Sequence, residues 1–245
     1  LDFIFGIHSV EEALRAGKAI EKILIHREHG VAQMRTIFEL AKEQDIVIQK
    51  VPTEKLNRLC RKNHQGVIAF MSVIDYAPLE NVVAHLFEQG KNPFLLILDG
   101  ITDVRNLGAI ARSAECNGAN GLIIPAKGSA PINSDAMKTS AGALNFLPVS
   151  KENVLGKTIR YLQDCGIKVV ACTEKAEKNI HEIDLSVPVA IVMGSEDEGI
   201  STEVIRKADE LAKIQMHGQV SSLNVAVAAG IICYETAQQR SKNNG

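Results

Sequence analysis

Tryptophan is absent from this chain, and aromatic residues make up only 4 % of it. A nucleic-acid platform built from paired aromatics that stack on bases is therefore excluded. An excess of basic charge is also missing. The formal net charge is −2, so a polyanionic partner would have to be met by a local patch rather than by a general positive field. Long hydrophobic runs are lacking too. Phe94–Leu98 and Val187–Met193 are too short to cross a bilayer, and the first residues carry no basic-then-apolar signal pattern. The five cysteines, Cys60, Cys116, Cys165, Cys172 and Cys233, form no C-x-x-C pair and have no histidine cluster beside them. Reduced thiols in a cytoplasmic protein are expected, with no metal, rather than a zinc site or a disulfide framework.

Apolar residues at 46 % and charged residues at 23 % describe an ordinary globular chain with a sizeable core. Its patterning falls into parts. Residues 1–75 alternate short strand and helix signals and read as a small α/β unit. Ser9, with Glu12 three residues on, suggests a capping box before a helix from Val10 that Gly17 ends. Strands are expected at Lys22–Ile25, Ile46–Ile48 and Gly66–Val73, with one helix at Gln33–Gln44 and another that Thr53 precedes and that runs through Cys60. Residues 76–92 read as a linker carrying one amphipathic helix, Leu79–Glu88, with Pro78 at its start. From residue 93 to 245 apolar strands alternate with helices. Strands are expected at Phe94–Leu98, Gly121–Ile124, Lys168–Ala171, Pro188–Met193 and Ala212–Ile214, and helices at Asn106–Asn117, Val154–Cys165, Thr202–Ala208 and Val225–Gln238. Continuously apolar strands at this spacing imply a parallel sheet buried on both faces.

Three polar stretches follow strands in that second part, where open α/β sheets bind their ligands. The first runs from Leu98 through Asp103, Asn106 and Gly108 to Arg112. Asn106 stands at or near a helix start, so capping is its bland reading, and Arg112 in the second turn reads by itself as a solvated side chain. The second is Met193-Gly194-Ser195-Glu196-Asp197-Glu198-Gly199-Ile200. Its glycines have phosphate-loop spacing, but Ile200 occupies the place of the lysine, and three adjacent carboxylates would repel a triphosphate. A glycine loop with acidic side chains suits a ligand bearing positive charge, such as the sulfonium of S-adenosylmethionine. Acids complementing a helix dipole are the plainer account. The third, from Ile214 through Met216, Ser222, Leu223 and Asn224 to Ala228, leads into a helix of small residues that Ser222 or Asn224 could cap. Apart from these, Lys50, Lys55, Arg58, Arg61 and Lys62 form a basic run broken only by Glu54. It is either a solvated helix face or a phosphate-contacting patch.

Taken in order, Asn106-Leu-Gly-x-x-x-Arg112, Met193-Gly-Ser-Glu196-x-x-Gly199 and Ser222-Leu-Asn224-Val resemble the three motifs of the SpoU-type branch of the SPOUT methyltransferases. Residues 1–75, with Phe5-Gly6-Ile7-His8-Ser9-Val10 and His64-Gln65-Gly66-Val67, resemble the substrate-binding domain of that family, which has a ribosomal-protein-like fold. Within the branch the chain is most similar to the bacterial 23S rRNA guanosine 2'-O-methyltransferases.

The resemblance implies a parallel-sheet domain whose C-terminal segment forms a trefoil knot, and a homodimer with Val225–Gln238 at its interface. It implies transfer of a methyl group from S-adenosylmethionine to a ribose 2'-hydroxyl of structured RNA, ribosomal RNA in the first place. Asn106, Arg112, Glu196, Ser222 and Asn224 would be the catalytic set. Thr173, Gly194, Ser195, Gly199, Ile214, Met216 and Leu223 would surround the cofactor, and the basic run would meet RNA. Arg112 would act either as a base, which requires surroundings that strongly disfavour the cation, or as a charged group on the substrate phosphate and developing alkoxide. A transfer-RNA methyltransferase of the same family, or a non-catalytic RNA-binding assembly factor, are the alternatives.

Overall fold

A computed structural model describes residues 3–27, 34–44, 46–220 and 222–243. Two compact units emerge, Leu1–Asp75 with Ile132–Ser134, and Tyr76–Pro131 with Asp135–Gly245.

The first unit contains β1 (Phe3–Phe5), α1 (Ile7–Arg15), β2 (Ile20–His26), α2 (Arg35–Glu43), β3 (Val47–Val51), α3 (Thr53–Leu59) and β4 (Val67–Met71). Its sheet has the order β1-β4-β2-β3, parallel between β2 and β3 and antiparallel elsewhere. Successive side chains of a strand point to opposite faces. Ile23 and Ile25 accordingly pack with Val10, Leu14 and Ile37, whereas Leu24 packs with Val51, Leu56 and Phe70. Two local expectations need correction. The strand β1 was not foreseen, being three residues long. Helix α1 begins at Ile7 rather than Val10, so Ser9 lies inside it and no capping box forms there. Gly6, at φ 89°, turns the chain into the helix, and the Gln65 side-chain oxygen accepts the Ile7 N–H at 3.0 Å. This cap comes from a residue 58 positions away, which local pattern cannot encode. Gln33, the expected start of the second helix, lies outside the described residues.

The second unit contains α4 (Leu79–Glu88), β5 (Phe94–Asp99), α5 (Val104–Cys116), β6 (Gly121–Pro125), α6 (Ser134–Thr139), β7 (Val149–Glu152), α7 (Leu155–Asp164), β8 (Lys168–Cys172), β9 (Val189–Gly194), α8 (Thr202–Lys207), β10 (Glu210–Ala212) and α9 (Val225–Asn243). All six strands are parallel, in the order β10-β8-β9-β5-β6-β7. On one face Leu95, Ile97, Val169, Ala190 and Val192 pack under α4, α7 and α8. The alternate residues Phe94, Leu96 and Leu98 are equally buried, and α5 and α9 pack on each other as a second helical layer. Helix α4 contributes Leu79, Val83 and Leu86 to the first core, so the segment read as a linker is packed into this unit. Unforeseen elements are β7, an edge strand with one large apolar side chain, and α6, too short to show helical periodicity.

The chain turns outward where β5 and β9 lie side by side, with Asp99 opposite Gly194. Asp99 then accepts the Ser201 N–H at 2.8 Å, tying the loop after β9 to the end of β5. At the other, amino-terminal end of β5 and β9, Arg240 of α9 donates from Nε to the Leu185 carbonyl (3.0 Å), from Nη1 to Asn92 (2.7 Å) and from Nη2 to Pro93 (3.0 Å) and Val187 (2.7 Å). Its guanidinium also lies 5.3 Å from the Phe94 ring. Burial pushes its pKa below the ordinary arginine value, yet four carbonyl partners suit the cation. Lysine keeps the charge but lacks the planar fork that serves four acceptors. Arg240→Lys is therefore expected to lower stability by about 2 kcal/mol, read as a reduced urea midpoint with unchanged slope.

Candidate active site

Helix α5 does not start at Asn106. It starts at Val104, capped by Asp103, whose carboxylate accepts the N–H groups of Arg105 (2.7 Å) and Asn106 (2.9 Å). An aspartate two and three residues ahead of its partners was legible as the cap and was overlooked. Because Asp103 does the capping, the Asn106 side chain is free for other work. Gly108, one turn on, leaves room for the backbone of α6, since a Cβ there would stand 2.8 Å from the Ala136 carbonyl oxygen.

Gly194 ends β9 and opens a tight turn. Ser195 and Gly199 exchange backbone hydrogen bonds (3.2 and 3.0 Å), and Ser195 Oγ accepts the Glu198 N–H at 3.1 Å. Gly199 sits at φ 70°, the left-handed region that glycine enters without strain. A Cβ on Gly194 would collide with the backbone of Gly199 and Ile200. Both glycines of the acidic loop are thus demanded by its own backbone. The turn's product is the placement of Glu196.

Glu196 Oε1 accepts from three donors belonging to two other segments: Asn106 Nδ2 at 3.3 Å, Val225 N at 3.1 Å, and Asn224 Nδ2. Asn224 Nδ2 also donates to Asn106 Oδ1 at 3.0 Å. Asn224 Oδ1 faces the other way and caps α9, accepting from Ala226 (3.0 Å) and Val227 (3.3 Å). One carboxylate therefore joins the loops after β5 and β9 to the start of α9. Asn224 is both cap and site residue, so the two readings of it are compatible. Ser222 is exposed beside this cluster.

Arg112 is not brought to the cluster. It is exposed on α5 and makes no hydrogen bond or ion pair with a described residue. Six residues separate it from Asn106, about 9 Å along the axis and about 120° around it.

A cavity of about 720 Å³ opens beside the Glu196 cluster, lined by Thr173, Gly194, Ser195, Gly199, Ile214, Met216, Ser222 and Leu223 among others. Cys172, Glu174, Lys175 and Ile232 also line it, and sequence reading had not placed them there. The N–H groups of Ile214, Met216 and Leu223 have no protein partner among the described residues. Such donors call for a ligand or water. Carboxylates at Glu174, Glu196, Asp197 and Glu198 give the rim a negative bias. Apolar walls, free backbone donors and an acidic rim fit S-adenosylmethionine, which joins an adenine to a cationic sulfonium and ammonium. Burial pushes the Cys172 thiol up to about 12, which disfavours the reactive thiolate at neutral pH.

The basic run is divided by the fold. Lys50 pairs with Ile25 across β3 and β2 and shares its sheet face, opposite the one that α3 covers. Lys55 and Arg58 are exposed on α3, and Arg61 and Lys62 line a separate cleft with Asn57 and His64. The run is not a single patch.

Comparison with known proteins agrees with this geometry. A model described as SpoU rRNA Methylase family matches residues 93–234, and one described as RNA 2'-O ribose methyltransferase substrate binding matches residues 3–77. The chain belongs to the SpoU rRNA methylase family. As a member it is an S-adenosylmethionine-dependent RNA methyltransferase. A Bacillus subtilis relative named "Putative TrmH family tRNA/rRNA methyltransferase YacO" is 36 % identical over 98 % of this chain and 96 % of its own length. The AdoMet-bound rRNA methyltransferase from Sinorhizobium meliloti is 26 % identical, with a TM-score of 0.61, covering 96 % of this chain and 86 % of that one. The A. aeolicus TrmH/SpoU tRNA modifying enzyme is 29 % identical, with a TM-score of 0.58, covering 68 % of this chain and 86 % of that one.

In this SpoU methylase Gly194→Ala should expel the 195–199 turn and with it Glu196. Calorimetric titration is expected to show S-adenosylmethionine binding weakened by on the order of tenfold or more. Unchanged affinity would mean that the turn relaxes without moving the cavity wall.

Proposed function

We propose that this SpoU methylase transfers a methyl group to a ribose 2'-hydroxyl of ribosomal RNA, a guanosine of 23S rRNA in the first place. The observation that carries the reading is the hydrogen-bonded union of Asn106, Glu196 and Asn224 beside the cavity. Three motifs far apart in sequence meet there at the carboxyl ends of β5 and β9. The ribosomal preference is supported by coverage. The rRNA enzyme of S. meliloti aligns over 96 % of this chain, the tRNA modifying enzyme of A. aeolicus over 68 %.

In this reading Thr173, Gly194, Ser195, Gly199, Ile214, Met216 and Leu223 hold S-adenosylmethionine. When bound, it supplies an electrophilic methyl group on a sulfonium. The protein's part is to present the ribose oxygen and to manage its proton. Glu196 fixes both asparagine amides, so that Asn106 and Asn224 keep one orientation while the ribose and its phosphate enter. Ser222, exposed beside them, contacts the substrate phosphate. Arg112 stays charged, binds that phosphate and stabilises the developing alkoxide. A guanidinium in an exposed position is poorly suited to accept a proton. The basic side chains Lys50, Lys55, Arg58, Arg61 and Lys62 of the first unit supply RNA contacts, divided between surfaces as the fold divides them. The segment leading into α9 closes the trefoil knot.

The position of Arg112 supports a homodimer. Within one chain it stands on another side of α5 from Asn106. Helix α9 carries Val227, Ile231 and Tyr234 at helical spacing, exposed by 52 %, 40 % and 59 %. Such a stripe is suited to a second copy, and a partner's arginine can then complete each site.

The decisive assay is tritium transfer from labelled S-adenosylmethionine to unmodified 23S rRNA, followed by nucleoside analysis. Label in a 2'-O-methylnucleoside is expected. Label appearing in unmodified tRNA instead would move the substrate to tRNA, and label on a base would overturn the ribose assignment. Arg112→Ala should abolish transfer while leaving cofactor affinity within about twofold; full activity would remove Arg112 from the catalytic set. Mixing Arg112→Ala with Glu196→Ala protomers should restore roughly a quarter of wild-type activity if each site draws on both subunits. No restoration would place the whole site in one chain.

A further inference from the structure

We propose that the cleft between α3 and the turn before β4, in the first unit, holds a backbone phosphate of the RNA substrate, with Asn57 as a donor positioned by buried His64. The proposal rests on the RNA-methyltransferase reading and adds a recognition site to it. The cleft has a volume of about 370 Å³ and is lined by Thr53, Asn57, Arg61, Lys62 and His64, with His26 at its edge. None of its described lining residues is acidic.

The hydrogen bonds settle which way Asn57 faces. His64 is 8 % exposed, and its Nδ1 lies 3.0 Å from the Gly66 nitrogen. A backbone N–H can only donate, so Nδ1 accepts. The ring proton is then on Nε2, which lies 2.9 Å from Asn57 Oδ1. The amide oxygen of Asn57 is thereby held toward His64, and its two Nδ2 hydrogens have no described partner. Gln65 and Gly66, at φ 49° and 76°, make the turn that points His64 inward. Thr53 stands one helical turn before Asn57, on the same side of α3. Arg61 and Lys62, just beyond the helix, are exposed, and their side chains have no partner among the described residues. An amide, a hydroxyl and two cations line a cleft with no carboxylate among its described lining residues. That set recognises an anion with several acceptor oxygens. The cleft lies open at the surface, as a site must if a polymer chain enters at one side and leaves at the other.

His64 and Gln65 belong to a motif that the reaction chemistry did not absorb. Gln65 caps α1 through Ile7 and His64 orients Asn57, so adjacent residues of one turn organise the helix start and the cleft.

Full-length protein and unmodified 23S rRNA transcript provide the test, with affinity measured over a range of potassium chloride. Asn57→Asp keeps an oxygen for His64 but replaces both amide hydrogens with a carboxylate oxygen. It is expected to weaken RNA binding by about tenfold. Arg61→Gln with Lys62→Gln should reduce the slope of log affinity against log salt by about one to two. Lys42→Gln, exposed on α2 and across the sheet from α3, should change affinity by less than about twofold. All three should bind S-adenosylmethionine as the parent does. Wild-type affinity in Asn57→Asp, or equal losses in Lys42→Gln and the double variant, would overturn the proposal. Methyl transfer by the parent with no effect of Asn57→Asp sinks the cleft alone. RNA binding that depends on Asn57 without any transfer would uphold the cleft and sink the proposed reaction.

Discussion

One carboxylate oxygen, Glu196 Oε1, holds the candidate site together. It accepts from the side chains of Asn106 and Asn224 and from the Val225 backbone, so three loops that share no covalent neighbourhood are placed relative to one another. A negative charge at the start of α9 is also favoured by the helix dipole. The same contact therefore serves the helix and the site. Each neighbouring feature supports it: Gly194 and Gly199 bend the acidic loop, Asp99 ties that loop to β5, and Asp103 relieves Asn106 of capping. Arg240 fastens the far end of α9 to the segments that enter β5 and β9, at the opposite ends of those strands. The helix bearing Asn224 is thus pinned at both ends.

This arrangement explains how acidic residues serve a reaction on a polyanion. Asp197 and Glu198 lie with Glu196 around a cavity suited to a cationic methyl donor. In the proposed reading the positive charges that meet RNA stand apart from the Glu196 cluster: Arg112 on a separate side of α5, Arg61 and Lys62 in the first unit. Lys175 and Lys213 line the cavity as well, so a chain with formal charge −2 meets each ligand through a local set of side chains rather than through separated fields. Local potential rather than net charge decides such contacts.

Much of the architecture was legible in the sequence because burial imposes periodicity. The apolar runs at Phe94–Leu98 and Val187–Met193 announced strands covered on both faces, and Leu79 and Val225 marked helix starts that the fold keeps. What escaped was short, marginal or held from afar. Strand β7 lies at a sheet edge and needs few apolar residues, and α6 spans less than two turns. Helix α1 takes its cap from Gln65 rather than from Ser9, because a side chain supplied by tertiary structure satisfied the Ile7 N–H first.

The sequence by itself determined a parallel α/β sheet, three polar loops at strand ends, the glycines those loops require, and the family to which their order belongs. Tertiary structure decided which polar residues meet. Asn106 and Asn224, 118 positions apart, share hydrogen bonds, whereas Arg112, six positions from Asn106, points elsewhere. The basic run from Lys50 to Lys62 looked continuous and is divided between surfaces. The reason is physical. Periodicity records which face of an element is buried, but sheet register, turn geometry and the accounting of buried donors determine what lies across from it.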